Sequence, residues 1–204
     1  MKAACVVIVM AKAPVSGFAK TRLIPALGAA GAARLADRLL HRAVAAALQA
    51  QLGPVDLCCA PHHRHAALDS QRNLHGLMLS DQGDGDLGQR MARAFDRWWP
   101  GAGRILMTGT DAPALDAMVL RRAAAALVDH DAVFVPALDG GYALVGLRHP
   151  APSLFQSVAW STPQVMAQTR GHLAAAGLVH AELEAVADID VPTDLVHLPA
   201  GWQS

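Results

Sequence analysis

The sequence lacks the excess of charge that marks several classes of binding protein. Its 17 lysines and arginines balance 17 aspartates and glutamates, so the net charge at pH 7 is zero. A nucleic-acid groove or a polybasic membrane anchor needs a clear excess of positive charge. We therefore expect no nucleic-acid partner, and any positively charged site must be confined to a few residues.

Long apolar runs and cysteines are also scarce. The apolar run at 3–11 is too short to cross a bilayer and lacks a small-residue cleavage site, so we interpret it as a buried strand and expect no membrane insertion. The only cysteines, Cys5, Cys58 and Cys59, lie in apolar segments without the spacing of a metal site. An odd number of buried thiols is typical of a reducing compartment, which predicts a cytoplasmic protein.

Two catalytic signatures are missing as well. No G-x-S-x-G elbow is present, which removes the simplest hydrolase interpretation. The loop after the first predicted strand, "AKAPVSGFAKTRL", ends like a Walker loop at Lys20 and Thr21, but Pro14 and Ala19 stand where that loop needs glycines. Because Pro14 has no amide hydrogen, this loop must hold an anion with side chains instead of backbone amides.

The side chains available for that task are cationic or hydroxylic. Lys12, Lys20, Thr21 and Arg22 all lie in or next to this loop. Lysine presents a point charge, whereas the flat arginine fork takes two phosphate oxygens at once, so Lys20 and Arg22 together suit a diphosphate. The alternative is a set of solvated loop charges.

What is abundant is apolar sequence arranged in alternating short segments. Hydrophobic residues make up 53% of the 204 residues, which fits one well-packed domain covering 1–204. Short β-branched runs alternate with alanine-rich helical patterns, which predicts an α/β fold with a mostly parallel sheet. Strands are predicted at 3–11, 55–60, 76–80, 104–108, 131–137, 142–147 and 179–186, and helices at 31–51, 87–99, 116–128 and 162–176, the last with Ser161 or Thr162 as N-cap.

The residues that follow the predicted strands are the candidates for chemistry, because ligands bind at the carboxyl ends of strands in such sheets. Asp111 directly follows an apolar strand and offers a hard oxygen ligand, although an Asp before Ala-Pro can equally form a turn. Asp139 and the pair Asp188 and Asp190 occupy similar positions. Cations on one loop facing aspartates on others are typical of a phosphate-bearing ligand with a divalent cation.

A glycine-rich turn at 83–88 also matches G-x-G-x-x-G, the dinucleotide fingerprint. That fingerprint belongs to the first βαβ unit, and here two aspartates would face the pyrophosphate, so we interpret the turn as a loop in which Asp86 caps the next helix. A third interpretation has Gln82 and Gly83 contacting a nucleotide base or sugar.

The segment "LDGGY" is predicted to face an acceptor. Asp139 approaches the acceptor and Tyr142 lines its pocket in this interpretation, with Gly140 and Gly141 between them, although Asp-Gly is also an ordinary hairpin turn. Trp160 precedes a helix and either packs or contacts the acceptor. The histidines of "PHHRH" lie on a loop without cysteine partners, and we expect them to be solvated.

Six motifs in order resemble the DUF2064 family of glycosyltransferase-A-like transferases. They are "MAKAPVSGFAKTRL", "QGDGDLGQRMARAF", "GTDAPAL", "PALDGGYALVGL", "WSTPQV" and "DIDVPTDL". That family is similar in turn to the molybdenum-cofactor and phospholactate guanylyltransferases. The resemblance implies a three-layer αβα, nucleotide-diphospho-sugar-transferase (GT-A) fold, a nucleotide or nucleotide-sugar ligand, and Mg or Mn. One carboxylate stands where classical GT-A enzymes have D-x-D, at Thr110-Asp111-Ala112-Pro113.

The resemblance also implies roles for individual residues. Asp190 resembles the second metal ligand beside Asp111, with Asp188 as a substitute, while the alternative for Asp190 is the N-cap of the following short helix. Asp111, Lys20 and Asp139 are the predicted catalytic residues. Two reactions fit, glycosyl transfer to a small-molecule acceptor, which the family favours, and nucleotidyl transfer with release of pyrophosphate. A nucleotide-binding module without turnover is the third hypothesis, and the sequence leaves the oligomeric state open.

Overall fold

The computed structural model describes residues 5–74 and 76–202, which fold around a seven-stranded sheet. The strands are β1 (Cys5–Lys12), β2 (Val55–Ala60), β3 (Leu77–Asp81), β4 (Arg104–Thr108), β5 (Ala132–Pro136), β6 (Tyr142–Leu147) and β7 (His180–Glu182). The helices are α1 (Ile24–Ala50), α2 (Asp69–Arg72), α3 (Leu87–Asp96), α4 (Ala117–Ala126) and α5 (Val165–Ala175). Short 3₁₀ helices at Thr21–Leu23 and Pro192–His197 border the site described below.

The strand order is β3-β2-β1-β4-β6-β5-β7, and the sheet is mostly parallel. β1 pairs in parallel with β2 and β4, β2 with β3, and β5 with β7. Only β6, among the described strands, runs antiparallel to its neighbours, because the tight turn after β5 returns the chain directly beside it. The predicted α/β fold with a mostly parallel sheet is confirmed.

Side chains alternate between two buried faces of the sheet. On β1, Val7 and Val9 pack with residues of α1 and α4, whereas Val6 and Ile8 pack with residues of α3 and α5. All four valine and isoleucine side chains are at most 2% exposed, as expected for a central strand covered by helices on both faces. The result is three layers, helices on either side of one sheet, as predicted.

Helix α1 begins earlier than its sequence pattern predicts. The predicted range was 31–51, but the helical segment starts at Ile24, with Pro25 in its first turn. Gly28 interrupts it with φ 68° and ψ 164°, a backbone conformation open mainly to glycine. The early turn is anchored by Leu23, which is fully buried in a separate cluster with Leu39 and Ile189.

Two further boundaries differ from the predictions. Helix α5 begins at Val165, so neither Ser161 nor Thr162 is its N-cap, and Thr162 instead donates a hydrogen bond to the Ala159 carbonyl within a preceding turn. The last predicted strand, 179–186, forms only the short β7 and an isolated bridge between Val186 and Ala137. In both places tertiary contacts outweigh the local sequence pattern.

Among the described residues no helix combines the length and apolar character needed to span a membrane. Cys5, Cys58 and Cys59 are all buried and none forms a disulfide, as predicted for structural thiols.

Candidate functional site

A cleft of about 560 Å³ lies at the carboxyl ends of β1 and β4. The first residues of the antiparallel β6 reach the same edge of the sheet, and the loop before α1 and the segment before the last helical turn close its sides. Its polar lining includes Lys12, Lys20, Thr21, Arg22, Gln82, Thr108, Thr110, Asp111, Asp139, Thr162, Asp188 and Asp190. The fold therefore brings most of the predicted site residues to one cleft.

The centre of the cleft is the ammonium group of Lys20. Its Nζ lies 2.7 Å from Oδ1 of Asp111 and 2.8 Å from Oδ1 of Asp190. Nζ also donates a hydrogen bond of 2.6 Å to the carbonyl oxygen of Ile189. The Lys20 side chain is only 8% exposed, whereas the two carboxylates are each more than 40% exposed. One buried cation thus joins two carboxylates that both open to the cleft.

The loop holds Lys20 in an unusual backbone conformation. Its φ of 48° and ψ of 45° place it in the left-handed region, which is uncommon for a residue other than glycine. A turn in which Val15 accepts the amide hydrogens of Phe18 and Ala19 precedes it, and the buried Leu23 follows it. Such a conformation costs about 1–3 kcal/mol and persists where surrounding contacts require it, which is a common property of functional sites.

Asp111 and Asp190 are positioned by contacts between their own segments. Asp111 follows β4, where the Thr110 hydroxyl donates a hydrogen bond of 3.1 Å to its carboxylate. Its carbonyl accepts the amide of Ile189 at 2.9 Å, which ties the two segments together. Ile189 itself is fully buried, so this tether is anchored in the core.

The carboxylate of Asp190 points to Lys20 and does not cap the following helical turn. Asp194 instead makes the side-chain hydrogen bonds at the start of that turn. Its Oδ2 accepts the amide hydrogens of Asp190 at 2.9 Å and Val191 at 2.8 Å. The capping alternative for Asp190 is therefore wrong. Asp194 has no place in the sequence-based predictions, although an acidic side chain three residues after the N-cap residue Val191 is a signal for such a contact.

The charge of Lys20 is strongly favoured in this setting. Burial alone lowers the pKa of an ammonium, but the charges of Asp111 and Asp190 and their hydrogen bonds outweigh burial and raise the pKa of Lys20 above its ordinary value. Lys20 is therefore a fixed positive charge at neutral pH.

A second pair of carboxylates, Asp139 and Asp188, lines the same cleft. Burial, together with the negative charge of Asp139 and then of Asp190 and Asp194, raises the pKa of Asp188 to about 6. Asp139 is exposed, and its Oδ1 accepts the amide of Gly141 at 2.8 Å within the turn between β5 and β6. Asp139 and Asp188 together make this wall of the cleft acidic. The sequence predicted Asp188 only as a substitute metal ligand.

The remaining predicted phosphate-binding side chains stand open to solvent. Lys12, Thr21 and Arg22 are exposed, and within residues 5–74 and 76–202 their side chains have no hydrogen-bond or ion-pair partner. They line the same cleft as Lys20 but at its rim. Their role in binding phosphate stays a prediction.

Gln82 and Gly83 form the base of the glycine-rich turn. The buried Gln82 donates its amide hydrogens to the carbonyls of Ala11 and Cys58, both at 3.0 Å, which fastens the ends of β1 and β2. Gly83 has φ of 71°, and the Arg93 side chain fills the space beside it. The turn follows β3 and not the first strand, as the non-dinucleotide interpretation requires. Contact of Gln82 or Gly83 with a nucleotide stays a prediction.

Asp86 caps α3 as predicted. Its carboxylate accepts the Gln89 amide at 2.8 Å, and the Gln89 side chain accepts the Asp86 amide at 3.0 Å. This reciprocal pair is a capping box, which satisfies two amide groups that the helix leaves open.

The predicted acceptor residues form an aromatic corner of the cleft. Tyr142 is edge-on to Trp160 with ring centroids 6.4 Å apart, and its hydroxyl points to the sulfur of Met91 at 3.9 Å. Burial raises the pKa of the Tyr142 hydroxyl well above its ordinary value, so it stays protonated. At Gly140 a Cβ atom would lie 2.2 Å from the Pro163 carbonyl, so only glycine allows this approach of the turn to the segment before α5.

The family model described as "Uncharacterized protein conserved in bacteria (DUF2064)" matches residues 43–162, more than half of the chain. The chain belongs to the DUF2064 family. No match is found among curated protein sequences. The matched range includes Asp111, Asp139 and Trp160 of the DUF2064 cleft, whereas Lys20 and Asp190 lie outside it.

Solved structures place the DUF2064 chain among the transferase folds. A protein from Desulfovibrio desulfuricans G20, provisionally assigned as a nucleotide-diphospho-sugar transferase, has a TM-score of 0.85 and 28% identity, covering 94% of this chain and 84% of its own. CMP:2-keto-3-deoxy-manno-octonic acid synthetase, solved with CTP, has a TM-score of 0.61 and 11% identity, covering 95% of each chain. These similarities confirm the predicted nucleotide-diphospho-sugar-transferase-like fold.

A third solved structure of similar fold contains manganese. A Mycobacterium tuberculosis H37Rv protein solved with manganese has a TM-score of 0.58 and 16% identity, covering 94% of this chain and 95% of its own. In the described part of the DUF2064 chain, no three His, Cys, Asp or Glu side chains are grouped as a metal site. The two carboxylates that share Lys20 are the donor set to be tested for a divalent cation.

Proposed function

We propose that this DUF2064 protein is a metal-dependent glycosyltransferase that uses a nucleotide-sugar donor and a small hydroxyl-bearing acceptor. The observation that supports the proposal best is the convergence of Asp111 and Asp190 on the ammonium of Lys20, inside a cleft at the carboxyl ends of the strands. The proposal treats 1–204 as one transferase domain working in the cytoplasm, where its thiols stay reduced.

The donor set suits Mg or Mn. Both ions prefer carboxylate oxygens, and Mg in particular is usually held by one or two carboxylates together with phosphate oxygens and water. Asp111 and Asp190 supply two such groups, each more than 40% exposed and therefore accessible from the cleft. When bound, a divalent cation there would neutralise charge on the donor phosphates and on the departing nucleoside diphosphate.

The cations of the first loop bind and orient the donor phosphates in this proposal. Lys12 and Arg22 line the cleft and are exposed, and Thr21, also exposed, adds a hydroxyl. Electrostatic stabilisation of the leaving nucleoside diphosphate is the expected contribution, since negative charge develops on it as the bond between the sugar carbon and the phosphate oxygen breaks.

The acidic wall favours a hydroxyl acceptor over a phosphate monoester. Asp139 and Asp188 add negative charge to the lining of the cleft, and a phosphate acceptor would be repelled beside them. A carboxylate of this pair can instead accept the proton of an attacking hydroxyl group. Tyr142 and Trp160 supply an apolar surface on which a sugar or similar ring can pack.

The test is a thermal-shift panel of nucleoside triphosphates and nucleotide sugars, each with and without Mg or Mn. A ligand that binds the folded state raises the midpoint of unfolding by mass action, so the responses identify the donor class. We expect nucleotide sugars to stabilise the protein in a metal-dependent manner. Incubation with a mixture of hydroxyl acceptors, followed by mass spectrometry, should then show release of nucleoside diphosphate.

Nucleotidyl transfer is the second candidate, because one structural neighbour is a synthetase solved with CTP. Stabilisation by triphosphates alone, with release of pyrophosphate, would support it and contradict glycosyl transfer. Stabilisation without any turnover of either donor class would instead support a nucleotide-binding module.

A further inference from the structure

All three hydrogen-bond donors of Lys20 are already in use. An ammonium has three N–H groups, and Nζ lies within 2.8 Å of Asp111, Asp190 and the Ile189 carbonyl. With a side chain only 8% exposed, Lys20 has no donor directed to the open cleft. In this arrangement Lys20 cannot also hold a phosphate oxygen, so its predicted role as a phosphate grip requires it to leave these partners.

The same geometry limits the two carboxylates. Asp111 and Asp190 each turn Oδ1 to Lys20, so a divalent cation held by both carboxylates would compete with the ammonium for them. An ammonium and a divalent cation cannot occupy one position between two oxygens, and their mutual repulsion would be large at such short range. Lys20 is therefore an internal cation that offsets one of the two negative charges of the pair when no metal is bound.

We propose that Lys20 competes with the divalent cation for Asp111 and Asp190, and that it moves to the donor phosphates when the cation binds. The inference rests on the proposed function, because it assigns the cation to these carboxylates. It makes metal and nucleotide binding cooperative, since the phosphates give the displaced ammonium a new partner. By thermodynamic linkage the two effects are equal. The factor by which metal tightens nucleotide binding is also the factor by which nucleotide tightens metal binding.

The left-handed backbone at Lys20 supports such a movement. The residue is strained, with φ of 48°, and its side chain makes three contacts with other segments. Gly17 lies three residues before Lys20 in the same loop and has φ of 82°. A Cβ atom at Gly17 would meet nothing within 4 Å, so this part of the loop is open and conformationally permissive. Release of the side chain would leave the backbone free to relax from this conformation.

The experiment measures Mn²⁺ binding to the protein alone, by the loss of the free-ion electron paramagnetic resonance signal. We expect weak binding to the parent and binding about tenfold tighter or more in Lys20→Met, because the competing charge is gone. Lys12→Met is the matched control, since it removes one exposed cation from the same cleft without touching the carboxylates. Lys20→Gln repeats the measurement with a neutral side chain that can still donate hydrogen bonds to the carboxylates if the methionine variant unfolds.

The inference would be overturned if Lys20→Met, Lys20→Gln and Lys12→Met all bound Mn²⁺ with the affinity of the parent. It would also be overturned if all three bound Mn²⁺ more tightly by the same factor, because that result reports only the change in net charge. The proposed function is tested by a separate measurement. If the parent still shows metal-dependent stabilisation by nucleotide sugars in the thermal-shift panel, only the competition by Lys20 is wrong. If that stabilisation is absent while Lys20→Met alone gains Mn²⁺ affinity, the competition stands and the donor assignment is wrong.

Discussion

The indole of Trp160 packs directly against Gly88, at the first turn of α3. A Cβ atom on Gly88 would lie 2.6 Å from Nε1 of Trp160 and 2.3 Å from the carbonyl oxygen of Phe155, and the second of these is a backbone atom that cannot rotate away. This contact sets how closely α3 approaches the aromatic corner of the cleft. Only a residue without a side chain fits there.

Gly88→Ala should therefore lower the stability of the protein. We expect a loss of about 1–3 kcal/mol, the usual cost of forcing an extra methyl group into a packed site, and a fall in Tm of roughly 2–4 °C for each kcal/mol. Gly171→Ala is the control, because Gly171 lies within α5 and a Cβ there meets nothing within 4 Å. That variant should be neutral or more stable, since alanine favours helix. Equal Tm values for the two variants would contradict the packing argument.

Asp86→Ala should destabilise the protein by removing the capping box of α3. The expected cost is about 1 kcal/mol, typical for loss of an aspartate N-cap, measured by urea unfolding. Asp84→Ala, in the same exposed turn, is the control, since among the described residues no side-chain hydrogen bond to its carboxylate is seen.

If NADH fluorescence changed when the parent protein was added, the turn would be a dinucleotide site and the capping interpretation would be insufficient.

Asp111→Asn should leave the fold intact and abolish metal-dependent nucleotide binding. The amide keeps the shape of the carboxylate but removes the negative charge that a hard cation requires. We expect about 100-fold weaker binding of the stabilising nucleotide in the presence of Mg, equivalent to ~2.7 kcal/mol, by calorimetry. Asp129→Asn, an exposed site outside the cleft, should bind as the parent does. Unchanged affinity in Asp111→Asn would remove Asp111 as a ligand.

Arg22→Lys should weaken nucleotide binding although the charge is retained. The lysine ammonium cannot reproduce the two-oxygen fork of arginine, and about tenfold weaker binding, ~1.4 kcal/mol, is expected for a diphosphate. The loss should be smaller for a monophosphate and for titrations at high salt, because an exposed site is screened. Arg34→Lys, exposed on α1 outside the cleft, serves as the control. If Arg22→Lys weakens the binding of the mono-, di- and triphosphate by the same factor, Arg22 is not the residue that binds the diphosphate.

The cysteines of the native protein should react slowly with a thiol reagent at mildly alkaline pH. Burial raises the pKa of the Cys5 thiol to about 11, against a smaller opposing effect of Arg104, and burial also raises the pKa of Cys58. Since a raised pKa keeps a thiol protonated until the pH approaches that value, little reactive thiolate forms near pH 8. Absorbance after addition of a disulfide reagent should show three thiols only in concentrated guanidinium chloride. Rapid reaction of a thiol in the folded protein would contradict the burial of these residues.

The sequence by itself determined the elements and the edge of the sheet where the site lies. β2, β4 and β6 agree with the predicted ranges because their β-branched and apolar runs are short and bounded by turns. Asp111 and Asp139 were assigned to the cleft for the same reason, since residues directly after a strand, or in the turn before an antiparallel one, reach its carboxyl edge. Local pattern is sufficient there because strand ends have a fixed place in this fold.

Only the tertiary structure decided which charges meet. Lys20 and Asp190 are far apart in the chain, and their contact depends on the buried Leu23 and Ile189 packing together. The raised pKa of Asp188 likewise depends on its burial and then on the approach of Asp139 from another loop. Neither fact follows from a local pattern, because the Coulomb energy of two charges depends on their separation in space and on burial by the rest of the fold.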